Sequence, residues 1–166
     1  MNNIEGGDKM GEVLVDTHTH YVHKRFDSGR DEIIHELVNN SVMAVIEGAI
    51  DFASNQKMKL LCEKNSNVFM AAGCHPNCVE EMNDEKYQKI VELANYDKVI
   101  AIGETGLDYA RNKSEAQKNI QEEWFGKFIL LAIEQQKPLV IHCREAYDEM
   151  ISVLQGYKFG KCPGVI

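Results

Sequence analysis

Residues 13–20 read Val-Leu-Val-Asp-Thr-His-Thr-His, a short apolar run that ends in two histidines two positions apart. Side chains on a β-strand alternate between its two faces, so His18 and His20 point the same way if the strand continues to residue 20. Two imidazoles on one face are suited to binding one divalent metal ion. The stretch therefore predicts a strand whose carboxyl end carries half of a metal site.

Similar apolar runs recur along the chain, and nearly continuous β-branched and aliphatic runs are typical of strands buried on both faces of a parallel sheet. The five predicted strands cover residues 13–16, 42–46, 68–73, 99–103 and 139–142. Their first residues lie between 26 and 40 positions apart, which is the spacing of βα units. This order fits either a doubly wound sheet or a (β/α)8 barrel, and both place ligands at the carboxyl ends of the strands.

Amphipathic helical patterns separate these strands. The first predicted helix places Ile33, Ile34, Leu37 and Val38 on one face. The longest begins with a Ser114-x-x-Gln117 capping box, and the spacing of its apolar residues predicts Trp124, on this helix, to lie in the core.

Polar groups that bind metal or substrate follow four of the five predicted strands. They are His18 and His20, then His75, Glu104 and His142. Taken singly, His75 beside Pro76 reads as a turn residue and Glu104 as a loop cap. Chance does not easily place such groups at four equivalent positions, and their convergence on one rim favours a barrel.

Two further residues follow these candidates. Arg144 comes two positions after His142, and a guanidinium beside a metal site matches the oxygens of a phosphate in a bidentate manner. Asp108 comes four positions after Glu104 and has the chemistry to orient a ligand histidine or the neighbouring loop. A surface salt bridge is the alternative role for each.

Composition restricts the class of protein. The chain has 166 residues with 44% hydrophobic content, enough for one domain with a sizeable core, expected over residues 12–166. Its net charge of -8 gives no electrostatic footprint for nonspecific nucleic-acid binding, although bound cations can supply a local positive field. Five cysteines without a pairing motif indicate reduced thiols, and no run reaches membrane-spanning length. We therefore expect a soluble cytoplasmic protein with no membrane partner and with residues 1–11 as a disordered leader.

Four blocks occur in a specific order, at residues 16–20, 73–76, 102–109 and 138–146, with Gln121 and Phe125 before the last block. Together they resemble the TatD-type metal-dependent deoxyribonucleases of the amidohydrolase-like barrel group, and the resemblance covers residues 12–166. It implies a TIM-type (β/α) barrel and two divalent ions, Mg²⁺, Mn²⁺ or Zn²⁺.

By the same resemblance, His18 and His20 would hold the first ion, Glu104 would bridge both ions, and His142 would hold the second. The implied reaction is hydrolysis of phosphodiester bonds in DNA by a metal-activated water, of the exonucleolytic type. Glu104 would thus serve both metal binding and catalysis.

The resemblance also implies roles for residues around the ions. His75 and Arg144 would face the scissile phosphate, with Asp108 in support. Asn77 stands where the family often has a histidine, which bears on substrate contact more than on metal binding.

Length is the large departure from the family, whose barrel needs about 250 residues. Residues 164–166 look like the opening of a sixth strand, and the family's histidine after strand six and aspartate near strand eight have no counterpart here. We expect an incomplete barrel of five to six βα units with open sheet edges that expose apolar side chains. Marginal stability or self-association through those edges, weak metal binding and little turnover would follow.

Three alternatives stay open at this point. A different amidohydrolase-like enzyme would act on an amide, lactone or phosphoester; many of those bridge their metals with a carboxylated lysine, where this chain has Glu104. A polymerase-and-histidinol-phosphatase-like domain also begins with His-x-His, but nothing after Tyr21 supports it. A non-catalytic fragment that binds one metal weakly is the third.

Overall fold

The computed structural model describes residues 13–111 and 114–157, in which five strands alternate with five helices. In chain order they are β1 (Leu14–Thr19), α1 (Arg30–Asn39), β2 (Val42–Gly48), α2 (Phe52–Lys64), β3 (Val68–Ala72), α3 (Asp84–Leu93), β4 (Val99–Asp108), α4 (Glu115–Gln135), β5 (Leu139–Arg144) and α5 (Tyr147–Gly156). Short 3₁₀ turns occupy Lys24–Phe26 and Pro76–Glu81. The expected leader (1–11) and the expected start of a sixth strand (164–166) lie outside the described residues.

The order of the strands decides between the two predicted architectures. All neighbouring pairs are parallel, and the order across the sheet is β1-β2-β3-β4-β5. A doubly wound sheet reverses its strand order at a switch point, whereas this sheet adds each new strand on the same side. The described chain is therefore an arc of a (β/α) barrel, with five of the eight strands of a complete one.

The sheet separates two apolar clusters. The larger cluster packs between the outer face of the sheet and the helices, and it includes Phe125 and Phe128 of α4 and Met58 of α2. The smaller cluster lines the inner face, where Ala71 and Ala101 are typical members. The predicted core position of Trp124 is confirmed, as is the capping of α4 by the Ser114 side chain.

Strand starts agree with the sequence prediction within one residue, but most strands end later. β4 shows the largest difference, since it continues to Asp108 rather than ending at Gly103. The extension arises because residues 105–108 pair with residues 141–144 of β5. Glu104 therefore lies inside a paired strand and not in the loop after it.

The first helix also differs from its prediction. Of the four apolar residues expected on one buried face, only Ile34 is fully buried, whereas Ile33 and Val38 are exposed. The physical reason is the position of α1 over β2 near the edge of the sheet, where it has few neighbours to cover a wider stripe.

Within the described residues β1 is one edge of the sheet, and its Leu14 and Val15 are each 52% exposed. Self-association through this edge stays a prediction. None of the helices in residues 13–111 and 114–157 is both long and apolar enough to cross a membrane.

Strands β3 and β4 approach closely at a pair of glycines. A Cβ at Gly73 would lie 2.7 Å from the Cα of Gly103 and 2.8 Å from its carbonyl carbon. Both are backbone atoms, so relief requires the strands to separate.

We expect Gly73→Ala to lower the free energy of unfolding by about 1 to 3 kcal/mol, the usual cost of overpacking. The control is Gly156→Ala at the end of α5, where a Cβ meets nothing within 4 Å. That change should be neutral or stabilising by up to about 1 kcal/mol. Urea unfolding followed by circular dichroism measures both, and equal midpoints for the two variants would contradict the close approach.

Candidate metal centre

The carboxyl ends of the strands line an open cavity that gathers the predicted site residues. His20, His75, Glu104, Asp108, His142 and Arg144 all line it. His18 completes the set, since its Nε2 lies 3.1 Å from Oε2 of Glu104. The structure thus brings together side chains from β1, β4 and β5 and from the turn after β3.

Glu104 lies at the centre of the cluster and is only 8% exposed. Its Oε2 is 3.1 Å from Nε2 of His18 and 3.5 Å from Nε2 of His20. Its Oε1 is 3.0 Å from Nδ1 of His142 and 3.8 Å from Nε2 of His75. Each oxygen of one carboxylate therefore faces its own pair of imidazoles, which is the arrangement a bridging ligand requires.

The first group has spacings that suit one ion. Nε2 of His18 and Nε2 of His20 are 3.1 Å apart, close to their separations from Oε2 of Glu104. Ligand atoms about 2.0 to 2.1 Å from a zinc-sized ion lie roughly 3.0 to 3.4 Å from one another. Nitrogen and carboxylate donors are also the right chemistry for such an ion, so these three residues fit a divalent metal.

Hydrogen bonds on the far side of two rings fix which nitrogen is free. Nδ1 of His20 lies 3.0 Å from the carbonyl oxygen of Gly48, so it carries the proton and leaves a lone pair on Nε2. Nε2 of His142 lies 3.2 Å from Oδ2 of Asp108, so it donates to that carboxylate and leaves a lone pair on Nδ1. In both rings the free lone pair is on the nitrogen nearer Glu104, as a metal ligand requires.

His75 has the opposite arrangement. Its Nδ1 accepts the backbone N–H of Asn77 at 3.1 Å, at the start of the turn Pro76–Glu81. The neutral ring therefore carries its proton on Nε2, which lies 3.0 Å from Nδ1 of His142. Burial, reinforced by the nearby His142, lowers the pKa of His75 to about 4, so the ring is neutral at pH 7. His75 is close enough to join a second metal group with Glu104 and His142, but in this tautomer it is a hydrogen-bond donor.

Asp108 is buried and fully engaged. Its Oδ2 accepts from His142 and from Nδ2 of Asn77 at 3.1 Å, and its Oδ1 accepts the backbone N–H of Arg111 at 3.2 Å. Its own backbone N–H donates to Oε1 of Gln121 at 2.8 Å. Burial raises the pKa of Asp108, but these hydrogen bonds outweigh burial and hold the pKa below its ordinary value. The carboxylate is thus ionised, and Gln121 on α4 fixes where it sits.

Hydrogen bonds also set the charge at the centre. Burial raises the pKa of Glu104, but the adjacent imidazoles of His142 and His18 outweigh burial and hold the pKa well below its usual range. The hydrogen bond between His18 and Glu104 raises the pKa of His18 above 6.5, against the opposing effect of burial. The cluster without metal is therefore an ionised carboxylate surrounded by imidazoles.

Two arginines lie on the rim of the cavity. Arg144 is exposed at the end of β5, and Arg111 is exposed after β4; both line the cavity. Sequence reasoning missed Arg111, although its position three residues after Asp108 was a usable signal. It also missed the contact of Asn77 with Asp108, because no spacing rule joins a turn to a distant strand.

Comparisons with known proteins show which family this chain resembles. Residues 15–166 match the model of the TatD-related DNase family. The chain is 33% identical over 143 residues to a Bacillus subtilis (strain 168) protein named uncharacterized metal-dependent hydrolase YabD, covering 86% of this chain and 55% of that protein. It is 30% identical over 142 residues to the 3'-5' ssDNA/RNA exonuclease TatD of Citrobacter koseri, covering 86% and 54%. The chain thus spans about half the length of these curated relatives.

Solved structures share the fold. The chain superposes on a TatD homologue from Escherichia coli K12 with a TM-score of 0.78 at 24% identity, covering 89% of this chain and 57% of that one. It superposes on a TatD-family hydrolase from Entamoeba histolytica with a TM-score of 0.81 at 20% identity, covering 92% and 57%. Since the family model extends over most of the sequence, the chain belongs to the TatD-related DNase family of metal-dependent hydrolases.

Proposed function

We propose that this chain carries the metal-binding half of the active site of a hydrolase that cleaves phosphodiester bonds in DNA. The observation that supports this most is the Glu104 carboxylate, with one oxygen facing His18 and His20 and the other facing His142. Two divalent ions held this way would activate a water and stabilise charge on the attacked and leaving oxygens. The ligands would be His18, His20 and Glu104 for one ion, and Glu104 and His142 for the other.

The remaining residues would act on the substrate or on the ligands. Nε2–H of His75, which faces Nδ1 of His142 in the metal-free chain, would be the donor to a phosphate oxygen once a metal occupied that lone pair. The lowered pKa of His75 keeps the ring neutral rather than cationic. Arg144 and Arg111 would supply positive charge to the phosphate on a chain whose net charge is -8. Asp108 would hold His142 in the tautomer that binds metal.

The choice of substrate is part of the proposal. The Citrobacter koseri relative is named for exonuclease action on single-stranded DNA and RNA, so both polymers are candidate substrates. An amide, lactone or other ester substrate is the alternative; Glu104 at the bridging position, instead of a lysine, favours the nuclease. We also propose a cytoplasmic location, which suits the free thiols of Cys62, Cys74, Cys78 and Cys143.

The first test removes the bridging carboxylate. End-labelled single-stranded DNA, double-stranded DNA and RNA are incubated with the chain and Mg²⁺ or Mn²⁺, with and without EDTA. We expect metal-dependent shortening from one end and a loss of more than about 100-fold in Glu104→Gln. Glu36→Gln, at an exposed carboxylate on α1, is the matched control and should keep full activity.

Hydrolysis of a small ester or amide without any cleavage of nucleic acid would contradict the nuclease assignment. Weak binding of a single ion by isothermal titration calorimetry, without turnover on any substrate, would favour the non-catalytic fragment.

Variants of His75 and His142 should distinguish a residue that contacts the substrate from a residue that binds metal. His75→Asn keeps an acceptor for the turn but removes the Nε2 donor, so it should retain both ions while turnover falls by about 100-fold. His142→Asn should lose the second ion, because Nδ1 of His142 carries the lone pair that faces Oε1 of Glu104 and would bind that ion. Metal content after gel filtration measures the difference, and loss of an ion from His75→Asn would identify His75 as a ligand instead.

Metal binding should release protons near neutral pH. The pKa of His18 is raised above 6.5 by its bond to Glu104, so part of the metal-free chain is protonated there at pH 7. A metal binds only the unprotonated ring, so affinity should keep rising as pH increases through that raised pKa. Calorimetry in two buffers of different ionisation enthalpy counts the released protons. A proton count of zero at pH 7 would show that His18 is already unprotonated.

A further inference from the structure

Glu47, the next-to-last residue of β2, is a fully buried carboxylate (0% exposed). Its Oε1 accepts from the Thr19 hydroxyl at 2.5 Å and from the backbone N–H of Tyr21 at 2.8 Å, and its Oε2 accepts from the backbone N–H of Val22 at 3.1 Å. Burying a carboxylate is unfavourable unless hydrogen bonds compensate for lost water. Here every compensating donor comes from residues 19–22, directly around and after the His18-x-His20 motif.

The pairing of the strand that carries this motif is irregular. Asp16 pairs with Val45 and Thr19 with Glu47, so three steps along β1 correspond to two steps along β2. Such a bulge interrupts the regular ladder and redirects side chains. β1 is also an edge of the described sheet and is largely exposed. His18 lies within the stretch of β1 where the regular pairing with β2 is interrupted.

Glu47 and Gly48 hold the end of β1 from opposite faces. Thr19 lies between the two histidines, and its hydroxyl is held by Glu47 on one face, so the imidazoles lie on the other. On that other face the carbonyl oxygen of Gly48 accepts from Nδ1 of His20. Gly48 also leaves room for the rings, because a Cβ there would lie 3.2 Å from Cε1 of His20.

Glu47 is not placed as a ligand itself. Both of its oxygens are occupied by donors from residues 19–22. The groups of potential ligands in the described part of the chain contain His18, His20, His75, Glu104 and His142, without Glu47.

We infer that Glu47 is a positioning residue for the metal centre: its carboxylate holds residues 19–22 so that His18 and His20 meet Oε2 of Glu104. The inference rests on the proposed metal site. Strand β2 carries none of the proposed ligands, but its Glu47 would fix the position of His18 and His20 at the end of β1.

The test is Glu47→Gln in the whole chain. The amide replaces one acceptor oxygen by an NH₂ group, which then faces a donor from residues 19–22. We expect affinity for the first Mn²⁺ ion, measured by calorimetry, to fall by about 10- to 100-fold, with the second ion little changed. In the metal-free chain, the NMR contact between the His18 and His20 rings, whose centroids are 4.8 Å apart, should weaken.

Leu131→Ala is the control for general loss of stability, because it creates a cavity in the larger apolar cluster, where Leu131 of α4 is buried. It should lower the unfolding temperature while leaving both the ring contact and the first-ion affinity unchanged. Thr19→Val removes one partner of Glu47 with little change of shape, and it should show the same effects as Glu47→Gln to a smaller degree. Thr19→Val decides the matter if Glu47→Gln does not fold.

Unchanged first-ion affinity, or an unchanged ring contact, in a folded variant would overturn the inference. Equal weakening of both ions would overturn it as well, because that result indicates a general effect. If the unaltered chain binds no ion, the proposed function fails, and the ring contact alone decides the role of Glu47.

Discussion

The site depends on one interaction, the contact of the buried Glu104 carboxylate with the imidazoles around it. The carboxylate faces imidazoles from β1 and β5 and from the turn after β3, so it stays ionised only where those separate segments end at one rim. A parallel sheet with strands in chain order satisfies this requirement, because every carboxyl end lies on the same side. The parallel sheet and the set of metal-binding donors therefore meet the same requirement, that the strands end on one side of the sheet.

Ring orientation comes from groups outside the cluster. His20 is held by a backbone carbonyl of β2, His142 by Asp108, and His75 by a backbone N–H of its own turn. Each of these contacts decides which nitrogen carries a proton, and hence whether a ring can bind metal or donate a hydrogen bond. Of these three chemically identical side chains, His20 and His142 are thereby oriented to bind metal, and His75 is oriented to donate a hydrogen bond.

Local periodicity was enough to predict the strand starts and the convergence of His18, His20, Glu104 and His142, because alternation along a strand needs no knowledge of distant residues. It was not enough for features that depend on pairing between strands. β4 extends past Glu104 because β5 pairs with it, and the contact of Glu47 with residues 19–22 joins two strands that lie apart in sequence.

Glycines at the strand ends make the cluster compact. Gly73 packs against the backbone of Gly103, and a Cβ on Gly106 would collide with the carbonyl oxygen of His142. A side chain at Gly73 or Gly106 would collide with backbone atoms, so the backbone next to the ligands carries no side chain at these two positions. Variation at the cavity is instead open at its rim, where Arg111 after β4 and Arg144 at the end of β5 have exposed side chains that can change without moving a strand.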